Sequence, residues 1–180
     1  MSEKLYTRTG DSGETSLFDG TRVRKDHALI DACGEVDELG AWLGVARAAG
    51  PDADLDAELV RIQRDVFALG AQLGDPSDKI ASRVTKALLG DTDVERLERS
   101  IDRLEAELPP LRHFVLAGGA PSGAALHVAR TVCRRAERRL VALQPPVDPA
   151  LLRYVNRLSD LLFVLARAAN HRAGVAETEW

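Results

Sequence analysis

The segment from Pro149 to Arg172 reads PALLRYVNRLSDLLFVLARAANHR, and its period decides the fold. Leu151, Val155, Leu158, Leu162, Leu165 and Ala169 recur at alternating spacings of four and three. That rhythm lays them along one side of an α-helix. Pro149 suits the first turn, where its missing N–H is not needed and its fixed φ is already helical.

Four further stretches carry the same rhythm. Asp26 to about Ala49 places Leu29, Cys33, Val36, Gly40 and Leu43 on one stripe, and Asp54 to about Leu73 does so with Leu55, Leu59, Ile62, Val66, Leu69 and Leu73. Thr92 to about Leu108 uses Val94, Leu97, Ile101, Leu104 and Leu108. Ser122 to about Leu143 uses Leu126, Ala129, Cys133, Ala136, Leu140 and Leu143. Alternating three and four is the seam of bundle packing. Gly50-Pro51, Pro109-Pro110 and Pro145-Pro146 punctuate the segments, Asp52 or Asp54 can cap the second, and Thr92 with Glu95 has the spacing of a capping box. A polar connection over 74–90 reads as loose. The expectation is an all-α, five-helix antiparallel bundle. It forms one domain over residues 1–180, with a non-helical N-terminal arm at 1–25, the bundle at 26–172 and a tail at 173–180.

Composition agrees. At roughly 150 residues per domain, 180 residues suit one domain. Aromatic residues are only 4% of the chain, so Leu, Val, Ile and Ala must fill the core, which favours helices over strands. A net charge of −4 argues against a nucleic-acid-coating protein. Cys33 and Cys133 cannot build a disulfide framework or a cysteine-rich zinc site, and read as core residues in a reducing compartment. Thr7–Glu14 is polar where a signal peptide would carry an apolar region, and no run is long enough to span a bilayer. These features point to the cytoplasm, with no membrane and no nucleic-acid partner.

The basic residues are lopsided. Of 24 Lys and Arg, four are lysines (Lys4, Lys25, Lys79 and Lys86) and 20 are arginines. Codon bias is the bland explanation; bidentate recognition of phosphate or carboxylate is the sharper one.

Four places depart from a plain bundle. The arm, YTRTGDSGET from Tyr6 to Thr15, offers close backbone approach at Gly10 and Gly13, hydroxyls at Thr7, Thr9 and Thr15, and charge at Arg8 and Lys25. It is no Walker loop, and a flexible polar terminus is the alternative. His127, Arg130, Arg134 and Arg138 share one helical stripe beside Glu137, while Arg135 and Arg139 continue the next. Such a ridge either meets a polyanion or is solvated surface. Asp37, in GEVDEL from Gly34 to Leu39, borders a buried stripe and wants a cation, for which the arginines of the fourth segment are candidates. Phe114 opens FVLAGG in a loop, and Asn156 and Asp160 stand one turn apart on the fifth segment.

Taken together, YTRTGDSGET, GEVDEL, FVLAGG, HVARTVCRRAER from His127 to Arg138 and YVNRLSDLLFVLAR from Tyr154 to Arg167 resemble the PduO-type ATP:cob(I)alamin adenosyltransferases. The resemblance covers most of the chain and implies a homotrimer of five-helix bundles with active sites between subunits. It implies an alkyl transferase that moves the 5′-deoxyadenosyl group of ATP to cob(I)alamin and releases triphosphate. It also implies that Thr7, Arg8, Thr9, Gly10, Thr15, Ser16 and Lys25 wrap ATP from one subunit, while Arg134, Glu137, Arg138 and Asn156 hold it from the neighbour. Asp37 and Arg130 would pair across subunits near the corrin, and Phe114 would face the lower side of the cobalt. Arg130, Arg134, Asp37 and Phe114 are thus the candidate catalytic residues. Mg²⁺ would be held through the ATP phosphates, with no side chain as direct ligand. A reductase would supply electrons, and a B12-dependent enzyme would receive the product. The family commonly has proline where Ala117 stands, and no residue after Asn170 carries over. A non-catalytic nucleotide or cobalamin carrier is the alternative from another class, and a nucleic-acid-binding bundle is a weaker third.

Overall fold

A computed structural model describes Tyr6, residues 8–75 and residues 88–180. Five helices follow a short hairpin: β1 Glu14–Ser16, β2 Arg22–Arg24, α1 Ala28–Ala48, α2 Ala53–Gly74, α3 Asp91–Glu105, α4 Pro121–Val141 and α5 Pro149–Arg172. Most of the connection expected over 74–90 lies outside the described residues, as does Thr7.

The helix ends have local causes. His27, not Asp26, caps α1: its Nδ1 accepts from the Leu29 N–H at 3.2 Å, leaving Asp26 to bind Arg24. Gly50 closes the far end at φ +72°, a left-handed turn that only glycine adopts cheaply. Helix α3 starts earlier than Thr92. Gly90 is its cap residue, and the Asp93 carboxylate accepts the Gly90 N–H at 3.1 Å, so the Thr92–Glu95 pattern is not the cap. The same helix stops at Glu105 because its last turn tightens, with Leu108 N–H donating to Glu105 O. Leu108 still packs on the core, so its place in the stripe holds although its helical state does not. Asp148 Oδ1 caps α5 by accepting the Ala150 N–H at 2.8 Å, with Pro149 at the first position.

The apolar stripes converge on one core cluster that includes Leu39, Leu43, Leu59, Ile62, Leu97, Leu126, Leu158 and Leu162. Each such side chain contributes about 1.5–3 kcal/mol by leaving water. Polar bridges reveal the helix directions. Asp31 pairs with Arg139 and Glu35 with Arg135, so α1 and α4 run antiparallel. Cys133 Sγ against Val155 O, with Gly123 against Asn170, does the same for α4 and α5. Asp91 pairs with Arg153 and Glu98 with Arg157, which makes α3 and α5 parallel neighbours. Consecutive helices alternate in direction, and a ring of five cannot alternate everywhere, so one contact must be parallel.

Helices α2 and α3 make no close backbone approach. Side chains span the gap instead. Arg96 on α3 reaches Asp65 and Glu58 on α2, and Asp65 Oδ2 also accepts the Tyr154 hydroxyl of α5 at 2.9 Å. Asp65 and Tyr154 are fully buried. A lone carboxylate at that depth would be prohibitively costly, and the guanidinium and phenol supply its partners.

Candidate functional site

The arm folds as a hairpin in which Thr15 pairs with Val23 and Ser16 with Arg22. Arg22 braces its entry: Nη2 donates to Thr9 O at 2.8 Å and Nη1 to Ser16 Oγ at 3.2 Å. Lys25 lies over Gly10, where an added Cβ would stand 3.3 Å from its Nζ. Lys25 N–H donates to Gly13 O at 2.8 Å, closing the loop, and Gly13 sits at φ +86°. Arg8 adopts φ +61° with its guanidinium 5.4 Å from the Tyr6 ring centre. The arm thus gathers Arg8, Thr9, Gly10 and Lys25 around one turn. Phe18 docks it on the bundle, its N–H donating to Gly74 O at 3.0 Å.

Phe18 also borders a groove of about 1020 Å³ along α1 and α2, lined by Val36, Asp37, Gly40, Phe67 and Gly70 among others. Phe67 is 82% exposed there. Asp37 is exposed in this groove and has no ion-pair partner among the described residues.

The arginines of α4 divide between two faces. Arg135 meets Glu35 and Glu38, and Arg139 meets Asp31, all on α1. The carboxylates that α4 answers inside the chain are therefore these three, not Asp37. Arg130, Arg134 and Arg138 point elsewhere and meet no carboxylate among the described residues. Arg138 Nη1 donates only to Arg134 O at 2.9 Å. Arg130 and Arg134 line a second pocket of about 330 Å³ with Ile101, Glu105, Ser159, Asp160, Phe163 and Val164. Asp160 is already engaged by Arg157 at 2.7 Å. Glu137 is half-buried beside this face, and Asn156 is exposed one turn before Asp160. Glu105 and Asp160 share this lining, yet neither Arg130 nor Arg134 forms an ion pair with a carboxylate among the described residues.

Two buried nitrogens on this stripe, His127 Nδ1 and Arg130 Nε, have no hydrogen-bond partner among the described residues. Phe163 separates the two side chains, with its ring centre 6.0 Å from the imidazole and 5.9 Å from the guanidinium. Burial, then the neighbouring Arg130 charge, pushes the His127 pKa below the usual histidine value. Burial, then Arg134, lowers that of Arg130. An orphaned buried donor is costly, so a partner outside the chain is the natural completion.

Phe114 stands in the loop between α3 and α4 and is 79% exposed. Asn170 on α5 holds the far end of that loop: Nδ2 donates to Gly118 O, and Oδ1 accepts the Ala120 N–H, both at 2.9 Å. Gly119, at φ +111°, and Gly123 press against this amide, and a Cβ on either would come within 2.2 Å of it. This explains Gly119 of FVLAGG, and Gly123 one turn into α4; a Cβ on Gly118 would meet nothing. Gly119→Ala is expected to cost about 1–3 kcal/mol from its backbone alone, plus displacement of Asn170. A drop in melting temperature and faster hydrogen exchange through 114–120 check it.

The sequence reading missed Arg22, Arg167 and Asn170 as supports. Each acts on backbone carbonyls or amides distant in sequence, and no periodic signal reports that. Asp37 and Arg130 line different grooves of one protomer, and the arm and the arginine stripe also occupy different faces. None of these pairs meets within a single chain.

The cobalamin adenosyltransferase family profile matches residues 5–169. A corrinoid adenosyltransferase of Bacillus subtilis is 41% identical over 98% of this chain and 92% of its own. One from Citrobacter freundii is 46% identical over 91% of this chain and 93% of its own. The solved structure of a variant PduO-type ATP:corrinoid adenosyltransferase from Lactobacillus reuteri, complexed with cobalamin and ATP, superposes with a TM-score of 0.89 at 34% identity, covering 98% of this chain and 99% of that one. With the five-helix fold and every motif in order, the chain belongs to the cobalamin adenosyltransferase family.

Proposed function

We propose that the protein transfers the 5′-deoxyadenosyl group of ATP to cob(I)alamin at sites formed between the subunits of a homotrimer. The observation that carries this reading is the basic stripe of Arg130, Arg134 and Arg138, left without internal carboxylates while Arg135 and Arg139 beside it are fully answered. A stripe of repelling, unpaired arginines suits a polyanion such as triphosphate. The orphan nitrogen of Arg130 and the unpaired carboxylate of Asp37 are complementary, and a neighbouring copy can bring them together.

The substrate cob(I)alamin carries the nucleophile, a cobalt electron pair that attacks the 5′ carbon as the carbon–oxygen bond breaks and triphosphate leaves with its electrons. No proton is removed from the nucleophile, so the protein needs no general base. The arm turn of Arg8, Thr9 and Gly10, with Thr7, Thr15, Ser16 and Lys25, holds ATP from one subunit. Arg134, Arg138, Glu137 and Asn156 hold it from the next. Their task is alignment of the 5′ carbon and stabilisation of the charge that grows on the leaving group. Mg²⁺ accompanies the phosphates and needs no side-chain ligand. Phe114, an exposed phenyl ring, keeps water and a lower axial ligand from the cobalt, which eases reduction to Co(I). A reductase supplies the electrons, a B12-dependent enzyme takes the product, and the setting is the cytoplasm. No helix among the described residues is long and apolar enough to cross a membrane.

Purified protein with ATP, Mg²⁺ and chemically reduced cobalamin should form the cobalt–carbon bond, seen as a change in the corrin spectrum that needs ATP. Saturable ATP binding without product would instead identify a carrier. Phe114→Ala is expected to spare ATP binding and to lower turnover from Co(II) more than from pre-reduced Co(I). Equal losses from the two starting states would count against the axial-ligand role.

A further inference from the structure

The residues after α5 turn back on the bundle. Gly174, at φ +67°, reverses the chain, and Val175 N–H donates to Asn170 O at 2.9 Å. The following residues run beside the Phe114 loop. Leu116 N–H donates to Thr178 O at 2.8 Å, Trp180 N–H donates to Phe114 O at 2.9 Å, and Val115 and Glu179 form an antiparallel bridge. The Trp180 ring meets the Phe114 ring edge-to-face, with centres 6.4 Å apart and planes at 77°.

One buried side chain ties both strands of this ladder to α5. Arg167 is 5% exposed. Its Nε donates to Glu177 Oε1 at 2.9 Å, and its Nη2 donates to Glu177 Oε2 at 3.1 Å and to Pro109 O at 2.9 Å. Glu177 belongs to the tail, and Pro109 leads into the Phe114 loop. The two-pronged geometry fixes direction as well as distance. Detaching the tail would leave the Arg167 cation buried without its carboxylate, so the docked state is strongly favoured.

We infer that the tail from Val175 to Trp180 is a strap that positions Phe114, latched by the Arg167–Glu177 pair. The inference rests on the transferase reading for what Phe114 does, but not for how it is held. Phe114 is mostly exposed, and among the described residues its one aromatic neighbour is Trp180. An exposed ring in a loop moves with the backbone beneath it and is limited in its rotamers only by what packs on it, here Trp180. Asn170 fixes the loop only at Gly118 and Ala120. The end that carries the ring is fixed by the tail. Arg167 and Glu177 are therefore positioning residues, acting on the reaction through Phe114.

The decisive variant ends the full-length protein at Glu177, removing Thr178, Glu179 and Trp180 while leaving the latch in place. Amides around Leu116 are expected to exchange about tenfold or more faster, because their acceptor is gone. Turnover from Co(II) should fall about tenfold to a hundredfold, the scale of a small misplacement, while the KM for ATP stays put. Loss from pre-reduced Co(I) should be smaller. Glu177→Ala should give the same split, and Glu177→Gln, which keeps an acceptor oxygen, should restore part of it. Unchanged exchange in the shortened chain, or equal losses from Co(II) and Co(I), overturns the strap. Wild-type protein that makes no cobalt–carbon bond would overturn the transferase reading instead, and the exchange measurement then still decides the strap.

Discussion

Asp65→Ala is expected to lower folding stability by about 3–5 kcal/mol, the cost of breaking a buried ion pair by removing one partner. The carboxylate is fully buried between α2, α3 and α5 and is shared by the Arg96 guanidinium and the Tyr154 hydroxyl. Its loss strands the Tyr154 hydroxyl and takes from Arg96 its most buried partner, leaving the weaker contacts to Glu58 and Asp93. Glu58, 3.4 Å from Arg96, recovers only a fraction of the interaction because it meets the other guanidinium nitrogen. The effect is amplified by geometry: α2 and α3 do not approach closely, and the only other ion pair between them among the described residues is the half-exposed Arg103–Asp54. A urea midpoint at fixed protein concentration, with unchanged slope, measures the loss. Replacing Asp65 and Arg96 together by apolar residues should recover much of it, since no charge is then left buried alone. A single-variant loss below about 1 kcal/mol, the scale of an exposed pair, would show that water reaches the cluster.

The second large effect is catalytic. Arg134→Ala is expected to remove about 2–4 kcal/mol of transition-state stabilisation, the range for one preorganised donor. It should appear mainly in the rate with saturating ATP, because the charge answered by Arg134 grows as triphosphate leaves. Arg134→Lys keeps the charge but loses the planar fork, and should lie between. Arg135→Ala is the internal control. It is the next residue in sequence, yet it binds Glu35 and Glu38 on α1, so its loss should touch stability and leave the ATP-dependent rate intact. Equal rate losses at the two positions would mean the stripe acts through α4 as a whole. A wild-type rate at Arg134→Ala would reduce that arginine to surface.

The contrast between neighbours shows how far a periodic pattern reaches. Spacing placed Arg130, Arg134 and Arg138 on one ridge and Arg135 and Arg139 on the next, and that was correct. Spacing alone did not say which ridge faces α1. The answer required Asp31, Glu35 and Glu38, about a hundred residues earlier, to be brought alongside. Asp37 behaves likewise. Its place at the edge of a buried stripe was legible, but the groove it lines is not the one that Arg130 and Arg134 line. The described part of the arm is non-helical as expected, while its hairpin and the Arg22 brace were not foreseen. Strands of three residues carry too little alternation to register.

Helix number, approximate helix ends and the composition of the core were written in the sequence. They depend on residues three and four apart, and on Gly, Pro and Asp acting within a turn of themselves. The five motifs also belong to the sequence, because residue identity in order survives without coordinates. Tertiary structure alone decided which arginines were left unanswered, why Gly119 and Gly123 cannot carry a side chain, and what the residues after α5 do. Arg167 meets Pro109, Asn170 meets Gly118, and Phe114 meets Trp180 across long stretches of chain. Such contacts leave no local periodicity. They exist only once the helices have packed and set the distances between them.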